Sequence, residues 1–414
     1  MYNSLILLLG ISLLFLFIND RVLKLTPSIG MLILGILQSV IFLSVKNFFP
    51  AFYDSIPHYL EELDFNYFLM HMILPLLLFA GAIHINISEF LKQKLSIFTF
   101  AVFSTLISTF LVGYLSYYVF GLIGIDIPLI YCLLFGALIS PTDPIAVLSI
   151  FNSYNVKKSL SVKVEGESLF NDGVGIVIFI TILGVITSNN SSIDLSGTLL
   201  LFLREAGGGI AFGVAIGLFG IFVLRFITDA KHAIYTTIFI ASFNYFIAEH
   251  LEVSGALAMV TAGLLIGDWL HTKAKPDVKV FTSTAWGIID EILNVMLFGL
   301  MGFSIINIDS SIVNYTAGII AVVIVLVSRF ISVSIPYSLI GIEKIKTRFI
   351  PGLKEITVLT WSGLRGALAY ALSLTLINEP NGHFIIYITY VIVAFSIIVQ
   401  GLTIRKLVKW LKIA

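Results

Sequence analysis

The sequence predicts an all-α polytopic membrane protein with about 13 transmembrane helices. Three observations carry that expectation. Only 12% of the 414 residues are charged against 58% hydrophobic, whereas a soluble domain carries roughly 25% charged residues. Mean hydropathy is correspondingly high, at +1.04. Apolar stretches of about 20 residues, the length that crosses a bilayer as a helix, recur from one end of the chain to the other. Finally, the basic residues collect in every second connection between those stretches. A transmembrane β-barrel would instead show segments of about 10 residues alternating in polarity, and runs such as Ile319–Val327 do not alternate. The balance of 24 Lys+Arg with 24 Asp+Glu excludes a nucleic-acid binder, which needs a basic surplus. A single cysteine, Cys132, excludes a disulfide scaffold and reads as core.

In chain order the spans lie near 4–19, 25–45, 66–88, 95–122, 127–151, 164–187, 196–224, 233–249, 253–270, 281–307, 312–338, 355–378 and 384–404. The first has no positive residue before it and no small-residue cleavage site after it, so it reads as a retained helix and not a signal peptide. The second follows Arg21 and Lys24, and the third carries His71 and His84. The fourth follows Lys92 and Lys94, and the fifth is interrupted by Pro141 and Pro144. The sixth holds the densest set of acids, and the seventh, with Arg204 and Glu205, is long enough to be tilted or broken. The eighth is plainly apolar, and Gly255, Gly263 and Gly267 mark the ninth as a close-packing helix. The tenth contains Asp290 and Glu291, placed against neighbouring helices or a cytoplasmic cavity. Arg329 lies in the eleventh, Arg365 lies between Gly363 and Gly366 in the twelfth, and the thirteenth ends before a basic tail. No polar connection approaches the size of a soluble domain, about 50 residues.

Twenty of the 24 basic residues fall in the connections after odd-numbered spans or in the tail after the last; the even-numbered connections hold only Lys46. By the positive-inside rule this predicts an N-terminus outside and a cytoplasmic C-terminus, in a multi-pass protein of the inner or plasma membrane. The remaining three, Arg204, Arg329 and Arg365, are placed within the membrane.

An ionisable group at the bilayer centre costs roughly 2.5–3.5 kcal/mol by insertion measurements, so each is a functional candidate. Span five reads Ser140-Pro141-Thr142-Asp143-Pro144 and span six reads Glu165-Gly166-Glu167-Ser168-Leu169-Phe170-Asn171-Asp172-Gly173. The two prolines remove backbone donors and disfavour helix before them, freeing carbonyls that a bound cation would satisfy, with Asp143 supplying charge beside them. In span six, Ser168 and Asp172 are four apart, as are Glu167 and Asn171, so the two rows form one polar face. Oxygen ligands on one face suit a hard monovalent cation, and no His/Cys set suggests a transition metal. Glu165, two residues from Lys163 at the membrane edge, reads as a capping or pairing acid.

These motifs, with Trp361-Ser362-Gly363-Leu364-Arg365-Gly366-Ala367-Leu368, Ser254-Gly255-Ala256-Leu257-Ala258 and Leu297-Phe298-Gly299-Leu300-Met301-Gly302, resemble the monovalent cation/proton antiporters of the NhaP and mammalian sodium/proton exchanger type, in the family's order along the chain. The resemblance implies two inverted six-helix repeats, spans 1–6 and 8–13, joined by a linker helix. It divides the chain into scaffold helices over 1–94, core helices over 95–187, the linker over 188–231, scaffold helices over 232–311 and core helices over 312–414. It also implies a homodimer in the lipid bilayer, no cofactor, and sodium (or lithium) exchanged for protons by alternating access, with potassium as the alternative cargo. Asp172 resembles the carboxylate that alternately holds cation and proton, with Asn171 its neutral neighbour. Asp143, Ser168 and Thr142, the last through its carbonyl, resemble the remaining cation ligands. Glu167 would pair with an arginine, either Arg329 or Arg365. Ala80 stands where some relatives carry an acid, a departure that bears on affinity and ion preference; Asn171 stands where electrogenic relatives carry a second acid, so one-for-one electroneutral exchange is expected.

Other residues suggest ordinary roles. Arg204 and Glu205 roughly cancel as neighbours, and His71 and His84 read as hydrogen-bonded or interfacial histidines. An intramembrane hydrolase would need a base near Ser168 or a His-Glu-x-x-His motif, and the chain has neither. A channel would show a repeated filter loop or charged ring.

Overall fold

A chain in lipid must satisfy its backbone polar groups internally, which leaves helices as the economical solution for runs as apolar as these. The computed structural model describes residues 2–45, 68–85, 87–144, 147–148, 150–151, 156, 158–187, 195–303, 315–344 and 353–411. Their main helices are α1 (Tyr2–Ile18), α2 (Pro27–Val45), α3 (Leu69–Ile83), α4 (Lys94–Leu122), α5 (Leu129–Ile139), α6 (Lys158–Thr187) and α7 (Leu195–Leu224). There follow α8 (Ala230–His250), α9 (Gly255–Thr272), α10 (Pro276–Phe303), α11 (Tyr315–Lys344), α12 (Leu353–Trp361), α13 (Ala367–Ser373) and α14 (Gly382–Leu411). Six of them, α4, α6, α7, α10, α11 and α14, are long and apolar enough to cross a membrane. Of the basic residues used for orientation, Lys46, Lys157, Lys346, Arg348 and Lys412 lie outside the described residues.

Spans five and twelve are each split. Helix α5 has 11 residues, and at 1.5 Å per residue it rises only about 16 Å, half of a hydrocarbon core of ~30 Å. Helices α12 and α13 have 9 and 7 residues. The last span runs further than its apolar stretch, to Leu411. Its final turns are amphipathic: Ile404, Val408 and Leu411 are buried in a cluster with Phe100, Leu160 and Leu359, while Arg405, Lys406 and Lys409 stay exposed.

Two packing groups position the site. In one, α9 lies between α7 and α3, and α10 packs along α2. Small residues allow these approaches: a Cβ on Gly213 of α7 would sit 2.6 Å from the Ala258 carbonyl oxygen, and one on Gly263 of α9 would sit 2.7 Å from the Ala82 Cβ. In the other group, α4 packs along α5 and α11, α6 along α5, and α13 and α11 against α14. The connection before α8 caps that helix. Asp229 accepts from the backbone of Lys231 at 2.7 Å and His232 at 3.4 Å, and these donors hold its carboxyl below the usual aspartate value.

Candidate functional site

The site begins where the two split spans meet. The prolines end α5, and the extended segment after it forms an antiparallel bridge with the break between α12 and α13: Asp143 N donates to Leu364 O at 2.8 Å. Gly366 permits this approach, because a Cβ there would lie 2.6 Å from Asp143 Oδ2. Arg365, almost wholly buried, directs Nη1 at the carbonyls of Ser140 (2.5 Å) and Pro141 (2.9 Å). Its backbone N–H donates to Ser396 Oγ at 2.8 Å. The expectation that a cation takes the carbonyls freed by the prolines is therefore corrected at these two positions. A guanidinium presents several donors in a fixed fork, and its charge suits the C-terminal end of α5.

Helix α6 supplies the other wall. Asn171 grips Thr142 twice: its Nδ2 donates to Thr142 Oγ1 at 3.0 Å, and its Oδ1 accepts from Thr142 N at 3.3 Å. Ser168 Oγ donates to the Thr142 carbonyl. Glu167 turns the other way, toward Arg329 Nη1 at 2.6 Å, with both side chains buried; Arg329 Nη2 also donates to Leu359 O at 3.4 Å. The single polar face expected on this helix thus serves three tasks: Ser168 and Asn171 hold Thr142, Asp172 lines the cavity and Glu167 meets Arg329.

A cavity of about 310 Å³ lies against the crossing. Thr142, Asp143, Ser168 and Asp172 line it, together with Glu165, His84, Asp290 and Asn294 among apolar side chains. Asp143 acts electrostatically on both Asp172 and Asp290. Among the described residues no lysine or arginine lines it, and its ionisable lining is three aspartates, one glutamate and one histidine. Asn171 is fully buried behind Thr142 rather than in the lining, and Glu167, Arg329 and Arg365 lie outside this cavity.

Four further polar residues line the cavity beyond those expected as ligands. Glu165 faces the cavity despite its basic neighbour, and His84 sits at the end of α3 beside it. Asp290 is joined by Asn294, whose Nδ2 donates to the Asp290 carbonyl at 3.0 Å and to its Oδ1 at 3.2 Å. The signal was present as two polar residues four apart in an apolar helix. Ala80 is fully buried outside the lining. Arg204 reaches Glu252 at 3.0 Å rather than Glu205, since adjacent helical residues point to different faces. His71 pairs with Glu249 at 2.9 Å on the exterior.

Known proteins share this chain and this fold. The sequence profile of the transmembrane sodium/hydrogen exchangers matches residues 6–410. The Na(+)/H(+) antiporter NhaP of Pseudomonas aeruginosa is 37% identical over 95% of this chain and 93% of its own length. The Na(+)/H(+) antiporter NhaH of Halobacillus aidingensis is 32% identical over 100% of this chain and 98% of its own. The solved sodium proton antiporter MjNhaP1 of Methanocaldococcus jannaschii superposes with a TM-score of 0.79 at 20% identity, covering 99% of this chain and 98% of that one. The described helices, their interrupted pair and these relatives together place the chain in the sodium/hydrogen exchanger family of multi-pass membrane transporters.

Proposed function

We propose that this protein exchanges one sodium ion, or lithium, for one proton by alternating access, the two competing for Asp172. The observation that carries this is the cavity at the helix crossing, with Asp143 and Asp172 in its lining and no lysine or arginine among the described residues there. Asp172, Asp143, the lone pairs of Ser168 Oγ and Thr142 form the cation's ligand set, and Asn171 holds Thr142 in place. The relatives' printed names support sodium and protons as cargo. Helix counting supports 13 spans in two inverted six-helix repeats around span seven, since an offset of seven spans, an odd number, inverts the second copy. In this reading spans 4–6 and 11–13 move against spans 1–3 and 8–10, the latter making a homodimer. With the N-terminus outside, the cavity faces the cytoplasm, because Glu165 and His84 lie beside the basic connections at 92–94 and 158–163. The physiological role is pH and sodium homeostasis.

One carboxylate changes occupant while Asp143 keeps one state, so the moving core carries equal charge in both directions. The membrane potential would otherwise contribute about 2.3 kcal/mol per charge per 100 mV. In reconstituted vesicles clamped with potassium and valinomycin, sodium should drive proton flux whose reversal point ignores voltage. A reversal point that moves with voltage overturns the one-for-one count. Absence of sodium-driven flux, with flux on adding potassium, replaces the cargo. A passive channel would conduct without moving protons. A hydrolase is disfavoured because Ser168 donates to the Thr142 carbonyl and not to a base.

Two further outcomes are expected. Competition at one carboxylate raises the apparent sodium KM as pH falls, approaching about tenfold per pH unit once the proton dominates the site. A KM constant across the active pH range counts against a shared site. Gly366→Ala should cut exchange at least about tenfold, because the new methyl displaces Asp143 from the crossing. Wild-type exchange in that variant would show that the Asp143 position is not required.

A further inference from the structure

Helix α10 carries an acid to which the exchange site gives no task. Asp290 is the fifteenth of its 28 residues, between Ile288-Ile289 and Ile292-Leu293 apart from Glu291. An ionisable group halfway along a membrane helix is costly enough to mark function. The charged groups acting on Asp290 are two further acids, Asp143 and Glu291, and no lysine or arginine among the described residues lines the cavity it faces. Asn294, one turn on, is 9% exposed and lines the same cavity. Its Nδ2 donates to the Asp290 carbonyl and to Asp290 Oδ1. Both partners are acceptors, which assigns the amide and leaves Asn294 Oδ1 with no donor among the described residues. Gly287, Asp290 and Asn294 are three and four residues apart, so they share one face of α10. That face begins beside His84, which is exposed at the end of α3. A Cβ on Gly287 would meet nothing nearer than His84 Nε2, at 3.9 Å. Open space, a carboxylate and a free amide oxygen thus follow one another along this face.

We propose that Asp290 and Asn294 form a second monovalent-cation site on the cavity wall, a waiting position from which the ion passes to Asp143 and Asp172. The proposal rests on the cation-exchange reading above and adds a site to it. An Asp290 carboxylate oxygen, Asn294 Oδ1 and water would be the ligands, and one carboxylate balances one charge. Asp143 links the two positions, since it acts electrostatically on Asp172 and on Asp290 alike. Helix α10 packs along α2 and α3, the scaffold side in the alternating-access reading, so an ion at Asp290 is not carried by the moving core. The site therefore governs access to the crossing and leaves the one-for-one count unchanged.

Crystals of the wild-type protein soaked in thallium(I), a monovalent cation with a strong anomalous signal, should show two peaks. One should lie at Asp172 and the other at coordination distance from Asp290 and Asn294 Oδ1. Asp290→Asn, which keeps the shape and removes the charge, should lose the second peak and keep the first. It should raise the sodium KM of exchange about tenfold, the order by which a charged wall concentrates counter-ions. The loss should sit in KM rather than in maximal flux, the melting temperature should not fall, and Asp290→Glu should restore most of the affinity. A purely structural Asp290 would instead lower the melting temperature and the flux at every sodium concentration. A single thallium peak at Asp172 in the wild type, or a wild-type sodium KM in Asp290→Asn, overturns the proposal. Sodium-driven proton flux in the wild type tests the exchange reading separately: without it that reading falls, and the wild-type thallium map still decides the second site.

Discussion

Asp172→Asn is expected to reduce sodium-driven proton flux in reconstituted vesicles to the level of protein-free vesicles, with the protein still folded. An amide is nearly isosteric with the carboxylate, but it neither releases a proton nor neutralises a cation. Both half-cycles therefore fail together, and no concentration of sodium rescues the rate. The fold should tolerate the change because Asp172 faces the cavity, whereas Asn171 and Ser168 hold Thr142 to α6 and Arg365 joins the two split spans. Asn171→Ala is the instructive contrast. It removes both contacts that hold Thr142, so it should lower thermal stability and sodium affinity together. Near wild-type exchange by Asp172→Asn would assign the titrating role to another carboxylate of the cavity, with Asp143 and Asp290 the next to substitute.

The second large effect concerns the pair outside the cavity. Glu167 and Arg329 meet at 2.6 Å, with side chains 3% and 5% exposed. Removing one partner of a buried pair leaves an uncompensated charge and costs roughly 3–5 kcal/mol. Glu167→Gln and Arg329→Met should each lower the melting temperature sharply, and the double variant should recover part of the loss. Arg365 cannot step in for Arg329, because it is engaged with the carbonyls of Ser140 and Pro141. Purely additive losses in the double variant would show that the two side chains are not coupled.

The all-helical membrane character and the interruptions were legible in the sequence because they follow from local chemistry. Apolar length makes a helix in lipid whatever its neighbours are. Pro141 and Pro144 stop α5 by removing donors, and Gly363 and Gly366 loosen the partner segment. A carboxylate such as Asp172, flanked by apolar residues, is costly enough to stand out unaided. Tertiary structure alone decided the partners. The arginines at 329 and 365 are chemically alike, and both lie in apolar helices or breaks. Only the rotation of α11 about its axis and the antiparallel bridge at Asp143 and Leu364 give Glu167 to the first and the two carbonyls at the end of α5 to the second. The same holds for Asp290 and Asn294, which join the cavity from a helix over 100 residues away in sequence. Sequence by itself determined what each segment is, because helix formation and burial cost depend on neighbours along the chain. The fold determined which polar groups meet, because a pairing across 162 residues depends on helix position and azimuth that no local pattern encodes.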